Sequence, residues 1–395
     1  MSERGRRIYL DNHSTTPVDG RVLEAMLPFF SEHFGNAASK SHSFGWEAES
    51  AVESARKQVA AIIGAEPKEI IFTSGATESD NLALKGVALS LRNKGSHIIT
   101  SNIEHKAVLD TCAVLEQEGF SVSYLPVDSS GLIDPYDVGR AIKKETILVS
   151  IMHANNEIGV LQDIQEVGRI CRDKGIFFHT DASQSVGKVP LSVNTCHLDL
   201  VSFSAHKMYG PKGVGALYVR SVNPRVELKP IISGGGHERG MRSGTLNVPS
   251  IVGFGKACSI AAAEQAQEGA RLLALRERLR GGLLNRLDQV YLNGHLEKRL
   301  PGNLNISIDQ VDSESLLMEL EEEIAISSGS ACTSASLEPS YVLRAIGLSN
   351  ELADSSIRFG IGRFNTEDEI DYAVNRLVDL IRHLRASPAP RRCRK

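Results

Sequence analysis

Short apolar segments alternate with amphipathic helical segments through the first two-thirds of the chain, and this alternation limits its fold more than any other feature. The predicted strands cover residues 69–73, 97–101, 122–127, 147–152, 176–180, 198–204 and 215–219. Helical patterns lie between most of them, near residues 45–63, 81–91, 107–117 and 164–174. Such alternation predicts an α/β domain around a mainly parallel sheet. Ligands of these sheets bind at the carboxyl ends of strands, so polar residues just after strands are the first site candidates.

The last third of the chain has a different pattern. A long helical stretch precedes two strand patterns and a terminal helix, at residues 248–287, 303–308, 324–328 and 366–384. We therefore predict a large domain over residues 17–255 and a smaller α+β domain formed by residues 1–16 and 256–386. The basic segment 387–395 is predicted to be a disordered tail.

Composition and charge exclude several classes of function. The net charge of −4 over 395 residues implies no strong attraction to polyanions, so we expect no direct binding of nucleic acid. No apolar run reaches the length of a membrane span, and the polar N-terminus shows no secretion signal. Six widely spaced cysteines without a CxxC pair indicate free thiols in a reducing compartment. These features predict a cytoplasmic protein without an intrinsic metal site.

One lysine stands in a setting that suits covalent chemistry. Lys207 follows the strand at 198–204, beside Ser204 and His206, and a Gly-Pro break comes next. A lysine amine at a strand end, partly desolvated and flanked by hydroxyl and imidazole donors, suits imine formation with pyridoxal 5′-phosphate (PLP). Taken alone, Lys207 is read more simply as a surface lysine after a core strand.

Four other polar residues follow predicted strands. Asp181 is suited to pair with the pyridine nitrogen of PLP, and Gln184 with its phenolic oxygen. His105 is suited to stack on the ring or shuttle protons, and Asn156 to bind the ring oxygen or substrate. The simpler alternatives are a helix N-cap for Asp181 and a structural role for His105.

A run of small residues at 73–79 lies between a strand and a helix. Its backbone N–H groups and the hydroxyl of Thr77 suit a phosphate, because a helix N-terminus attracts anions. An ordinary capped helix start has the same pattern, so this segment alone leaves both interpretations open.

Two further features suit a reaction on an amino acid. Residues 327–336 are small and polar around a single Cys332, which predicts an accessible, reactive thiol in a mobile loop at 327–338. Arg358 or Arg363 is suited to bind a substrate carboxylate through its guanidinium fork. An ion pair within the smaller domain is the alternative for either arginine.

Together these motifs resemble the cysteine desulfurases, in the class-V aminotransferase branch of the fold-type I PLP enzymes. The resemblance covers nearly the whole chain and rests on residues 75–79, 155–159, 179–182, 204–207, 242–245 and 327–340. It implies a large domain with a mostly parallel seven-stranded sheet and a smaller α+β domain. The long loop around Cys332 resembles that of the housekeeping group, which serves iron–sulfur cluster assembly.

The resemblance also implies a role for each candidate residue. Lys207, Cys332, His105 and Asp181 are the expected catalytic residues, and Cys332 becomes a persulfide as L-cysteine is converted to L-alanine. Asn156 and Arg358 are expected to bind the substrate. The expected cofactor-binding residues are Ala76, Thr77, His105, Asn156, Asp181, Gln184, Ser204, His206, Lys207 and Thr245.

The expected partners are a second copy of the chain and proteins that accept sulfur. Thr245 is expected to reach the cofactor of the neighbouring subunit, which implies a homodimer. Iron–sulfur scaffold proteins and relays for tRNA thiolation are both candidate acceptors, and Cys332 is a candidate transient ligand of a cluster on a scaffold. A selenocysteine lyase, another PLP-dependent lyase or aminotransferase, and an inactive scaffold subunit are the alternative functions.

Overall fold

The computed structural model describes residues 7–328 and 339–386. Its strands are β1 Ile8–Tyr9, β2 Ile70–Thr73, β3 His97–Ser101, β4 Ser121–Leu125, β5 Thr146–Ser150, β6 Phe177–Asp181, β7 Leu200–Ser204, β8 Gly215–Val219, β9 Val290–Leu292, β10 Asn303–Ile308, β11 Ile324–Ala325, β12 Ser327–Ser328 and β13 Ser356–Gly360. Its helices are α1 Gly20–Met26, α2 Pro28–Ser31, α3 Ser43–Ala61, α4 Ala76–Leu91, α5 Lys106–Gln117, α6 Pro135–Ala141, α7 Ile164–Lys174, α8 Val248–Leu284, α9 Ser313–Leu320, α10 Tyr341–Ala345, α11 Asn350–Asp354 and α12 Glu367–Ala386.

The central sheet has seven strands in the order β2-β8-β7-β6-β5-β3-β4. All neighbours are parallel except β8, which runs antiparallel to both β2 and β7. Because β8 alone is reversed, the carboxyl ends of the other six strands lie at one edge of the sheet. The predicted α/β class with a mostly parallel seven-stranded sheet is confirmed.

Most predicted elements lie within a few residues of the observed ones, and two differences have clear physical reasons. Helix α4 begins at Ala76, five residues before its predicted start at 81, because its first turn is polar and faces a cavity instead of the core. The single strand predicted at 324–328 is two short strands. Of these, β11 pairs with β1, whereas β12 joins the antiparallel sheet β12-β13-β10-β9.

One long helix joins two of the four hydrophobic cores within the described residues. The larger core packs α3, α7 and the start of α8 against the central sheet. The smaller core combines Ile8 and Leu10 with apolar residues between Leu272 and Ile381. Helix α8 enters both cores, through Phe254 in the first and Leu279 in the second. The predicted domain boundary at residue 255 stays a prediction, and it falls inside this helix.

The helices within the described ranges were also compared with the length and hydropathy that a membrane crossing requires. None of those in residues 7–328 and 339–386 is both long enough and apolar enough to span a membrane.

Candidate active site

Polar residues from several strands meet at the carboxyl edge of the central sheet. His105 follows β3, Asp181 ends β6 and Ser204 ends β7, with Lys207 in the single 3-10 turn that comes next. They line one cavity of about 540 Å³. The predicted site residues that line this cavity are Ala76, Thr77, His105, Asn156, Asp181, Gln184, Ser204, His206, Lys207 and Arg358.

Two main-chain oxygens fix the Lys207 side chain, which lines this cavity. Its Nζ donates to the carbonyl oxygens of His13 at 2.6 Å and Ser14 at 2.7 Å. The adjacent His206 contacts Thr15 through Nδ1 at 3.1 Å. Burial, reinforced by the charge of Lys207, lowers the pKa of His206 to about 4. His206 is therefore a neutral hydrogen-bonding group at neutral pH.

The start of helix α4 forms one end of the cavity. Gly75 provides no side-chain cap there, and Ala76 and Thr77 line the cavity together with Ser204 and His206. Uncapped N–H groups at the start of a 16-residue helix, together with the helix dipole, attract an anion. This end of the cavity therefore suits a phosphate group.

Asp181 sits where several buried carboxyl groups are close together. Its Oδ1 accepts from the Ser183 backbone N–H at 2.8 Å. Behind it, burial and then the Asp181 charge raise the pKa of Asp80 well above its ordinary value. Burial likewise raises the pKa of Glu104 to about 8, and lowers that of His179 to about 3. Glu104 is thus neutral at pH 7, and burial disfavours the charged form of Asp80.

The raised pKa of Glu104 predicts how stability depends on pH. The folded chain keeps the Glu104 proton up to about pH 8, whereas the unfolded chain loses it near the ordinary value of 4.5. The contribution of this group to stability is therefore full below pH 4.5 and is lost as the pH rises to 8. Glu104→Gln is neutral at every pH and keeps an oxygen acceptor for Ser101 and Met152. We expect the variant to be more stable than the parent by over about 1 kcal/mol at pH 8.

Denaturant unfolding of both proteins at pH 5 and pH 8 measures this difference. The exposed Glu319→Gln variant is the matched control, and it should unfold as the parent does at both values. If the difference in the free energy of unfolding between Glu104→Gln and the parent is the same at pH 5 and pH 8, the assignment of a buried, neutral carboxyl group is contradicted.

Of the two arginine candidates, the structure places only Arg358 at the cavity. Arg358 is 3% exposed, and it donates to Asp11 at 2.8 Å and to the Asn156 carbonyl at 2.9 Å. Its Nε and the Oδ1 of Asn156 are buried and have no hydrogen-bond partner within the described residues. Arg363 instead forms ion pairs with Asp19 and Glu268. The ion pair within the smaller domain that was the alternative for either arginine is present for both, with Asp11 for Arg358 and with Glu268 for Arg363.

Of the predicted site residues that the structure describes, one does not line the cavity. Thr245 is exposed and lies outside its wall, and Cys332 lies outside the described residues, as does the segment 387–395. Four other cysteines are buried and unpaired: Cys112, Cys171, Cys196 and Cys258. Burial raises the pKa of each of these thiols, so they are poor nucleophiles.

The cavity also contains residues that the sequence reasoning missed. His13, Ser14 and Thr15 enter it from the N-terminal segment. The only available signal was the polar run of residues 11–16 directly after a short apolar strand. That signal is weak, because His13 is 194 residues from Lys207 in sequence.

The cavity residues fit PLP on three observations. The first is that the uncapped start of α4 suits the phosphate of PLP. The second is that Asp181, at the end of β6, offers a carboxylate for the ring nitrogen. The third is that Lys207 lines the same cavity. The unpartnered Arg358 Nε further suits the carboxylate of an amino acid, and the unpartnered Asn156 Oδ1 suits its amino group.

Comparison with known proteins gives a consistent result. The model of the family "Aminotransferase class-V" matches residues 8–373. The chain is 61% identical to "Cysteine desulfurase IscS" of Anaeromyxobacter sp. (strain Fw109-5) over 96% of its own length and 93% of the relative. It is 58% identical to the protein of that name from Pectobacterium carotovorum, with the same coverage.

Solved structures agree with the sequence relatives. One described as "NIFS-LIKE PROTEIN" matches with a TM-score of 0.89 and 41% identity, over 96% of this chain and 100% of that one. Another, "SspA in complex with cysteine", matches with a TM-score of 0.80 and 39% identity, over 91% and 100%. The chain therefore belongs to the class-V aminotransferase family, among its PLP-dependent cysteine desulfurases.

Proposed function

We propose that this enzyme transfers the sulfur of L-cysteine to Cys332 and releases L-alanine. The observation that carries the proposal is the single cavity in which Lys207, Asp181 and Arg358 meet. The three groups respectively suit a covalent link to the cofactor aldehyde, the ring nitrogen of the cofactor and the carboxylate of an amino acid. The persulfide sulfur then passes to acceptor proteins of iron–sulfur cluster assembly, in the cytoplasm.

The residues of the cavity have the following proposed roles. When bound, PLP supplies an electron sink for the electron pair left at the α-carbon of the amino acid. Arg358 Nε and the Asn156 amide bind the substrate carboxylate. Lys207 Nζ, once released from the two carbonyl oxygens, removes the α-proton. Asp181 would hold a proton on the ring nitrogen of the bound cofactor, and His105, which lines the same cavity, would return a proton to the product.

Sulfur transfer then needs one thiolate from the protein. The Cys332 thiolate attacks the substrate sulfur, so that an S–S bond forms and the C–S bond breaks. The balance is L-cysteine plus one protein thiol giving L-alanine plus one protein persulfide, with the β-carbon reduced and the sulfur oxidised. The position of Ser327 supports this role, because its Oγ lies 3.2 Å from Arg358 at the cavity. Cys332 follows Ser327 by five residues, and a chain of five residues reaches at most about 17 Å.

A homodimer is part of the proposal. Thr245 is exposed, and it belongs to a loop that is fixed close to the cavity by the ion pair of Arg242 with Glu78 at 2.8 Å. Phe34 and Trp46 are 64% and 56% exposed near the N-terminus of the chain. Exposed aromatic residues of this kind are typical of protein interfaces. We propose that Thr245 of the partner subunit binds the cofactor phosphate.

The fate of the sulfur atom tests the proposed function. The holoenzyme is incubated with L-cysteine, alkylated, digested and mapped by mass spectrometry. We expect one additional sulfur atom on the peptide that contains Cys332, in proportion to the alanine released. Cys112, Cys171, Cys196 and Cys258 are internal controls that should remain unmodified, because they are buried. Alanine release without added sulfur on the Cys332 peptide would contradict the proposal.

A further inference from the structure

The side-chain amide of Gln184 has its orientation fixed by two neighbours. Its Oε1 accepts from Lys188 Nζ at 3.2 Å, and its Nε2 donates to the His13 carbonyl oxygen at 2.9 Å. A lysine amine next to a carbonyl can only donate, and a carbonyl oxygen can only accept. These two contacts therefore exclude the flipped amide. One N–H of Nε2 is left over on the side chain that lines the cavity.

The same arrangement specifies the tautomer of His13. Its Nδ1 lies 3.1 Å from Gln184 Oε1, so this nitrogen must carry the proton. Its Nε2 then holds a lone pair, and this atom is buried without a hydrogen-bond partner in the described part of the chain. Burial, and then the charges of Lys188 and Arg358, lower the pKa of His13 well below its ordinary value. His13 is thus neutral, with its imidazole at the cavity wall.

Lys188 contacts Gln184 but is not among the residues that line the PLP cavity. It lines a separate small cavity of about 20 Å³, which has room for about one water molecule. Burial, followed by the charge of Lys207, lowers the pKa of Lys188 to about 7, while Glu268 has the opposite effect. Lys188 remains a hydrogen-bond donor in either protonation state, so the contact to Gln184 persists on both sides of neutral pH.

We propose that His13 and Lys188 are positioning residues that lock the Gln184 amide with one N–H directed at the ring oxygen of PLP. This inference rests on the proposed role of Gln184. An N–H donated to that oxygen stabilises its anionic form, so the lock lowers the pH at which the bound chromophore loses its proton. The charged groups that face His13 and Lys188 are Lys207, Arg358 and Glu268.

Paired variants test the lock through the absorbance of the holoenzyme. Lys188→Met and His13→Leu remove the donors to Gln184 Oε1, whereas Lys188→Gln and His13→Asn each keep an N–H donor at the same side of the amide. We expect the first two to raise the midpoint of the absorbance titration by about half a pH unit or more, and to weaken PLP binding about tenfold. The second two should stay within about threefold of the parent in PLP affinity.

A titration midpoint in Lys188→Met equal to that of the parent overturns the proposal. A Lys188→Gln variant with the same shift in midpoint and the same loss of PLP affinity as Lys188→Met also overturns it. Because a lysine-to-methionine change can impair folding, a second measurement uses the unmodified holoenzyme labelled with ¹⁵N-histidine. The resonances absent from His13→Asn identify His13, and they should show a protonated Nδ1 and an unprotonated Nε2. The reverse tautomer overturns the proposal.

These readouts separate the lock from the proposed reaction. Chromophore titration, PLP affinity and histidine resonances are all measured without turnover. A parent enzyme that binds PLP but forms no Cys332 persulfide contradicts the proposed function, while the lock is still decided by the variants.

Discussion

Lys207→Ala is expected to lower alanine release from L-cysteine by at least about four orders of magnitude, the upper range for one positioned acid–base group. The reason is that one amine performs two tasks, covalent attachment of the cofactor and removal of the α-proton. This amine donates to the carbonyl oxygens of His13 and Ser14, and it lines the same cavity as Asp181 and the start of α4. The measurement is alanine formation by purified enzyme saturated with PLP.

Lys207→Arg is the matched control for charge. Arginine keeps the positive charge and the donors to both carbonyl oxygens, but it does not form a covalent link with an aldehyde under these conditions. We expect both variants to be inactive. Borohydride reduction should attach the cofactor to the peptide containing position 207 in the parent and in neither variant. Substantial activity in Lys207→Arg would show that charge alone is sufficient.

Glu238→Ala is expected to lower the free energy of unfolding by about 3–5 kcal/mol. Glu238 and Arg56 form a buried ion pair with two parallel hydrogen bonds of 2.7 and 2.8 Å, and their side chains are 2% and 4% exposed. Glu238 also accepts from the backbone N–H of Phe72 in β2 at 2.7 Å. The alanine variant leaves the Arg56 charge buried without this carboxylate, and that desolvated charge is the main source of the loss.

Glu53→Ala removes the other carboxylate that contacts Arg56, and it provides the control. The Glu53 side chain is 51% exposed, so we expect a loss below about 1 kcal/mol. Denaturant unfolding of both variants at equal protein concentration and equal PLP loading allows direct comparison. Similar losses for Glu53→Ala and Glu238→Ala would show that burial does not determine the strength of the pair.

The sequence predicts the site best where a strand ends in a polar residue. Asp181 and Lys207 were identified because each follows an apolar run, and parallel strands bring their carboxyl ends to the same edge. The order of the strands, with β8 inserted between β2 and β7, did not follow from local pattern. Strand order depends on contacts between residues that are far apart in sequence.

The parts of the site that were missed depend on such long-range contacts. His13 and Lys188 both contact Gln184, and His13 is 171 residues from it in sequence. Glu104 precedes the predicted His105 directly, yet only its burial shows that it is neutral. Arg358 was the first candidate and Arg363, five residues further on, was its rival; both form ion pairs, and only Arg358 is among the residues that line the cavity.

The continuity of α8 limits how the enzyme can move. At about 1.5 Å per residue, this 37-residue helix is roughly 55 Å long, and it packs into both the larger and the smaller core. A rotation of one domain relative to the other would break main-chain hydrogen bonds in the middle of this helix. An amino acid substrate has too little contact area to offset that cost. We therefore expect the relative orientation of the two domains to stay the same when cysteine enters and sulfur leaves.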